Sequence, residues 1–433
     1  MSDILIRGRL LWFHDIPFED DPASYSYIED GAVLVSNGRI KAVGTYAEVS
    51  EKSRGVPVAD HRPNLILPGF IDPHIHFPQV QVIGSYGAQL LDWLNTYTFP
   101  EELKYADPSH AKRMASHFFD ELIRHGTTTA VAFCTAHKTS ADAFFAEAQK
   151  RGMCMIGGKV MMDRNAPEAL CDTPQQSYDD SKALIAEWDG RDRLQYAISP
   201  RFAITSSEAQ MQAAGALMAE FPDLHMQTHL SENRAECEFA CSLFPFARDY
   251  TDIYEHFGML GPKSLFGHCI HLSDRETAVL AETGSVAVFN PTSNLFLGSG
   301  LFDLERLRAA GVRDAVATDV GGGTSYSMLR TMDEAYKILQ LQGQKLPPLM
   351  SYYMMTLGNA RALGLERRIG QMSVGADADF VVLDSQATPA MALRSATLNT
   401  LAEELFVLQT MGDDRSIAEA YIAGSPAKSA LAV

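Results

Sequence analysis

Between residues 65 and 370, short apolar runs alternate with stretches of helical periodicity, and that alternation leaves the chain few architectures. The strand-like runs are 65–71, "TTTAVAF" (127–133), "MIGGKVMMD" (155–163), "LQYAISPRFAI" (194–204), "HMQTHLSE" (225–232), "SLFGHCIH" (264–271), "SVAVFNPT" (285–292) and "DAVATDV" (314–320). Helical stretches at 109–125, 140–151, 207–220 and 326–341 separate most of them. Strands buried on both faces read as continuous apolar runs, and joining them in parallel requires crossover segments. Eight strands in this alternation predict an α/β fold, a (β/α)8 barrel of the TIM type.

The two ends of the chain read differently. "ILIRGRLLWF" (4–13) and "GAVLVSNGRIKAVG" (31–44) are short strand patterns punctuated by the turn pairs Asp30-Gly31 and Asn37-Gly38. "VGADADFVVLD" (374–384) and "SIAEAYIAG" (416–424) repeat the pattern at the far end. We therefore expect one small β-sandwich domain from residues 1–66 and 371–433, with the barrel, 67–370, inserted between its halves. A net charge of −18 argues against bulk attraction to nucleic acid or anionic membrane. No uncharged apolar run reaches the roughly 18 residues of a membrane span. The opening "MSDILIRGRLLWFHD" lacks the apolar core of a signal peptide. Six scattered cysteines suit reduced thiols, so a cytoplasmic setting is expected.

Function is written in the polar residues that interrupt the strands. The first strand ends in His74 and His76, the fourth in Arg201-Phe202, the fifth in His229, the sixth in His268 and the eighth in Asp319. In a parallel barrel all of these meet on one rim, where such enzymes keep their chemistry. His74 and His76 share a face because side chains alternate along a strand. Alone, the two histidines read first as packed, hydrogen-bonded core residues. Together with His229 and Asp319 they form a three-nitrogen, one-oxygen set suited to one zinc, with iron possible. Glu232, three residues past His229, stands where it can relay protons without ligating the metal. Asp319 can accept a proton from a metal-bound water, and His268 can orient that water. A bridged two-metal site usually needs an extra anion such as a carbamylated lysine on the fourth strand, where this chain has Arg201. Lys159, on the third strand, reads as structural, as does His271.

The set "HIH", "HLSE", "GHC" and "TD" resembles the amidohydrolase superfamily over essentially the whole chain. "DPHIHFPQ", "LLDWLNTYTFPEE", "SPRFAITSS", "NPTSNLFLGSGLFD" and "ATDVGGGTSYSML" more narrowly resemble the guanine deaminase family. The resemblance implies hydrolysis of guanine to xanthine and ammonia and a homodimer. It implies zinc on His74, His76, His229 and Asp319, with Glu232 shuttling protons and His268 assisting. Gln79 and Arg201 would hold the purine, with Phe202 nearby. The leaving amino group is on C2, so the metal-activated water would attack there while N3 gains a proton from Glu232. Arg201 is a donor-only fork that matches the O6 and N7 acceptors of guanine. On the residues alone, Gln79 also reads as a loop residue bonded to backbone, and Arg201 as the partner of a carboxylate such as Glu232.

No P-C-x-x-C occurs, so the cytidine-deaminase type of zinc site is not expected, and Cys237 and Cys241 read as packing. The aromatic-rich connection 81–105 is placed to cover the barrel mouth, with Leu91, Trp93 and Tyr97 as candidate lining. The glycines 321–323 either let backbone approach a ligand or serve a tight loop. Hydrolysis of another nitrogen heterocycle (a pterin, an adenine derivative, a triazine) is the alternative reading.

Overall fold

The structure, a computed structural model, describes residues 3–18, 21–87 and 89–431. The outermost residues of the expected terminal domain, 1–2 and 432–433, lie outside that description. The chain begins with β1 (Ile4–Phe13), β2 (Tyr25–Ser36), β3 (Arg39–Thr45) and β4 (Val58–Pro68). Nine strands follow: β5 (Phe70–His76), β6 (Thr127–Phe133), β7 (Cys154–Gly158), β8 (Val160–Met161), β9 (Leu194–Pro200), β10 (His225–Leu230), β11 (Ser264–His268), β12 (Val286–Phe289) and β13 (Arg313–Val316). The last three are β14 (Phe380–Leu383), β15 (Ile417–Ile422) and β16 (Ser425–Pro426). The terminal strands form one seven-stranded sheet in the order β16-β15-β14-β4-β1-β2-β3, so both ends of the chain meet in it.

The barrel runs β5-β6-β7-β9-β10-β11-β12-β13, all parallel where paired, with the short β8 added to β9. Its seam closes just beyond β13, where Asp319 N donates to His74 O at 3.0 Å and His76 N to Val320 O at 2.6 Å. Asn359 stitches the lower seam, donating to both Ile71 O and Val316 O at 2.8 Å. Asp72 stitches the upper one, accepting from Thr318 N at 3.1 Å. These side chains replace ladder bonds and satisfy buried backbone groups. Below the rim, Ile71, Val131, Ile156, Ala197, Leu265 and Val286 fill the interior with apolar volume, and residues 360–369 plug it from beneath. Functional groups are thereby confined to the upper mouth.

Three local features differ from expectation. The run 65–71 is two strands: 65–68 end β4 and pair with β14, while the barrel strand starts at Phe70. Pro68 offers no N–H to continue the ladder. At Gly69, a Cβ would lie 2.2 Å from Thr128 Oγ1, so only glycine fits the crossing between sheets. Second, residues 374–379 are not strand; they deliver two buried carboxylates to the arginines that join sheet and barrel. Asp377 meets Arg368 at 3.1 Å and Arg193 at 3.2 Å, and Arg193 also pairs with Asp379. Third, Pro389–Ser395 and Leu401–Met411 are helices, the second opened by a reciprocal Thr400–Glu403 cap. That helix packs on the barrel side, where Gln409 Nε2 donates to Met332 O at 3.0 Å.

Candidate active site

His74 and His76 lie on β5, His229 on β10, and Asp319 three residues past β13. One ligand atom from each lies within 4.8 Å of the others. His76 Nε2 is 3.1 Å from His229 Nε2, and Asp319 Oδ1 is 3.2 Å from His76 Nε2 and 3.4 Å from His74 Nε2. A tetrahedral shell with bonds of about 2.0–2.1 Å spaces its ligand atoms roughly 3.3 Å apart. The donor set therefore fits one metal ion in both chemistry and spacing. His74 is fully buried, and neither ring nitrogen has a hydrogen-bond partner among the described residues. Such an orphan is expensive unless something coordinates it.

Neighbouring groups prepare the ligands. His229 Nδ1 lies 2.7 Å from Arg201 O, which fixes its proton there and frees Nε2 for the cluster. Burial and the adjacent imidazoles hold His229 well below the usual histidine range, and burial brings His76 down to about 4. Both are neutral donors at pH 7. Burial pushes Asp319 up, yet the His74 and His76 imidazoles outweigh it and hold the carboxyl well below its usual range. Gly267 makes the arrangement possible: a Cβ there would sit 2.5 Å from His74 Cε1.

Glu232 and His268 face this cluster from the ends of β10 and β11. His268 Nε2 stands 3.3 Å from Glu232 Oε2 and 3.7 Å from Asp319 Oδ2. Alternation along β11 turns Gly267 inward and would send His268 outward. A left-handed backbone at His268, φ 76°, brings its ring back to the mouth, and Asp319 is also left-handed at φ 52°. Asn294 Oδ1 accepts from His268 Nδ1 at 2.9 Å, leaving Nε2 toward the site. Ser299 donates to Glu232 Oε1 at 2.8 Å. Glu236 accepts from the Glu232 and Asn233 amides at 2.8 and 2.9 Å, pinning the backbone behind them. Burial, with the Asp319 charge adding to it, pushes Glu232 up to about 8. A carboxyl so placed keeps its proton at neutral pH and can give it away.

The same cavity is lined by Gln79, Arg201 and Phe202, with Leu90, Trp93 and Leu94 covering it. Arg201 pairs with Glu102, not Glu232: Nη1 lies 2.8 Å from both Glu102 oxygens. Gln79 is not merely a loop residue bonded to backbone. Its Nε2 donates to Glu102 at 3.2 Å while its Oε1 accepts from Gly321 N at 3.2 Å. Gly321 is required here, because a Cβ would sit 2.8 Å from Gln79 O. Of the covering residues expected, Trp93 lines this cavity, whereas Leu91 faces a separate one. Tyr97 is partly buried against the core. Lys159 is buried against Asp172, and His271 bonds Ser299 O at 2.9 Å, both apart from the metal set.

Sequence reasoning passed over Glu102, Asn294, Ser299, Glu236 and Gly267. Asn294 and Ser299 lie in the run "NPTSNLFLGSG", whose small polar residues among apolar ones were the available signal. Nothing local distinguishes Glu102 from Glu101, which is also buried and pairs with Lys104 at 2.5 Å.

Residues 65–426 match the model of the amidohydrolase family, and 31–52 match an imidazolonepropionase-like composite domain of bacteria. The chain is 46% identical to the guanine deaminase of Escherichia coli K12 over 407 residues, 94% of this chain and 93% of that one. The structure superposes on the E. coli guanine deaminase with a TM-score of 0.96 at 44% identity, covering 99% of each chain. It also superposes on a guanine deaminase of C. acetobutylicum with guanine bound in the active site. That TM-score is 0.89, at 30% identity, over 98% of this chain and 100% of the other. The chain belongs to the amidohydrolase family and, within it, to the group of the guanine deaminases.

Proposed function

We propose that this chain hydrolyses guanine to xanthine and ammonia at a mononuclear zinc site. One observation carries the reading: a buried acid, three of the four candidate metal ligands (His76, His229 and Asp319, with His74 buried behind them) and two purine-matching donors line a single cavity. His74, His76, His229 and Asp319 would hold the metal, which supplies Lewis acidity to lower the pKa of the attacking water. Glu232, kept protonated by burial, donates to N3 of the purine as C2 is attacked, and Ser299 holds its far oxygen in place. His268, oriented by Asn294, faces Glu232 and Asp319 and can share the proton passing between them. Asp319 accepts a proton from the attacking water and returns it to the C2 amino group, which leaves as ammonia while the proton of the new C2 hydroxyl goes back to Glu232. Arg201 and Gln79 donate to the O6 and N7 edge, and Phe202 closes one side of the cavity. Adenine presents an amino group in place of O6, which would leave a buried guanidinium facing a donor.

The reading carries a two-domain chain, 1–66 with 371–433 around 67–370, and a homodimer, the latter on family resemblance alone. It also carries a cytoplasmic setting, consistent with six free cysteines. Among the described residues no helix is long and apolar enough to cross a membrane. A heterocycle panel followed by ultraviolet absorbance tests the substrate. Guanine should disappear as xanthine rises, with one ammonia released per turnover. Turnover of a pterin, an adenine derivative or a triazine with guanine untouched would overturn the reading.

A further inference from the structure

Glu102 is 1% exposed, does not line the cavity, and takes no part in the mechanism above. Yet both residues assigned to the purine edge hang on it. Arg201 Nη1 reaches both its oxygens at 2.8 Å, and Gln79 Nε2 reaches Oε1 at 3.2 Å. The short helix Phe99–Glu102 also puts the Phe99 ring 5.4 Å from the Arg201 guanidinium carbon. One helical turn from the connection over the mouth thus clamps the guanidinium between an aromatic face and a carboxylate.

This clamp decides what the substrate meets. Among the described residues, the Arg201 guanidinium hydrogen-bonds through Nη1 alone, so Nε and Nη2 keep their hydrogens for a ligand. Gln79 is held at both ends: a carboxylate only accepts and an amide N–H only donates, so Nε2 must point to Glu102 and Oε1 to Gly321. Its second Nε2 hydrogen stays available beside the guanidinium. The Glu102–Arg201 pair also cancels the charge that a lone buried guanidinium would present, which suits a neutral ring better than an anion.

We propose that Glu102 is the positioning residue for purine recognition, aligning Arg201 and Gln79 as a charge-compensated donor array for an oxo group at C6. The proposal rests on the guanine reading above. Its test compares Glu102→Gln and Glu102→Asp with the parent enzyme on guanine turnover and on competitive inhibition by 2-aminopurine. The latter keeps the C2 amino group and carries hydrogen at C6. Loss of a charged hydrogen-bond partner should cut guanine kcat/KM roughly 10- to 100-fold in Glu102→Gln, while 2-aminopurine inhibition stays within about threefold. Zinc content should be unchanged, and Glu102→Asp, which keeps the charge, should recover part of the loss. Equal losses on both ligands, or no loss on guanine, would overturn the proposal alone. If Glu102→Gln does not fold, the same comparison is read from Glu102→Asp, whose shorter reach still misplaces the array. A parent enzyme inert to guanine would overturn the functional reading and the proposal with it.

Discussion

Gly267→Ala is the smallest substitution expected to empty the metal site. Gly267 pairs with His229 across β10 and β11, and its missing side chain is the space into which His74 reaches. A Cβ would lie 2.5 Å from His74 Cε1 and 3.0 Å from each ring nitrogen. Carbon atoms in contact sit about 3.5–4.0 Å apart, so the ring must retreat by about 1 Å. Coordination distances tolerate only about 0.2 Å, so His74 is lost as a ligand. Disturbing a supporting group costs about 10- to 100-fold in metal affinity, so losing a ligand should cost at least about 100-fold. Gly267 does not have a left-handed φ, so alanine adds no backbone strain and the fold should persist. Gly157→Ala is the control: its Cβ would crowd Phe144 at 2.7 Å, overpacking the core without touching a ligand. Zinc affinity by chelator competition, read with melting temperature, separates the two. Gly267→Ala should lose zinc and turnover, while Gly157→Ala should lose stability and keep zinc. A Gly267→Ala protein with parental zinc affinity and turnover would refute the geometry on which the site is built.

Glu232→Gln should keep zinc and guanine binding while kcat falls roughly 10²- to 10⁴-fold, and parental kcat would remove Glu232 from its role. Asn294→Ala frees His268 to change tautomer, so kcat should fall about 10- to 100-fold with zinc retained, measured by turnover and metal analysis. His225, far below the site, bonds Leu363 O at 2.9 Å, and burial brings it down to about 4 from 6.5. Between those values the unfolded chain takes up a proton that the folded chain refuses, so stability present at neutral pH falls as pH is lowered. The window is worth roughly 3 kcal/mol at most. His225→Gln should flatten it, seen as a stability difference from the parent that changes between pH 6.5 and pH 4. Parallel curves would contradict the assignment.

Much of the site was legible because a barrel converts strand position into spatial position. His74, His76, His229 and Asp319 could be assigned to one rim from apolar runs and a period of two. His268 was placed on that rim by counting strands, but the reason it faces the metal set is a left-handed turn that alternation does not encode. Gly267 and Glu102 were not legible, because each matters through a contact across the barrel mouth. Glycine within a strand gives no hint of the ring it admits. "FPEE" gives no hint of which glutamate meets Arg201, since that depends on how the 81–105 connection folds back. The misread strand 65–71 has the same origin: both halves are apolar, and only the fold assigns them to different sheets. The helix Leu401–Met411 was missed because a short, strongly apolar stretch carries little helical contrast.

The central claim is that one metal, held by His74, His76, His229 and Asp319, supports the hydrolysis of guanine. The direct measurement strips the protein with a chelator, returns zinc in steps and follows ammonia release from guanine. Activity should vanish on stripping and climb linearly to saturation at one zinc per chain. Full activity in the stripped protein, or saturation only at two zinc ions per chain, would contradict the account.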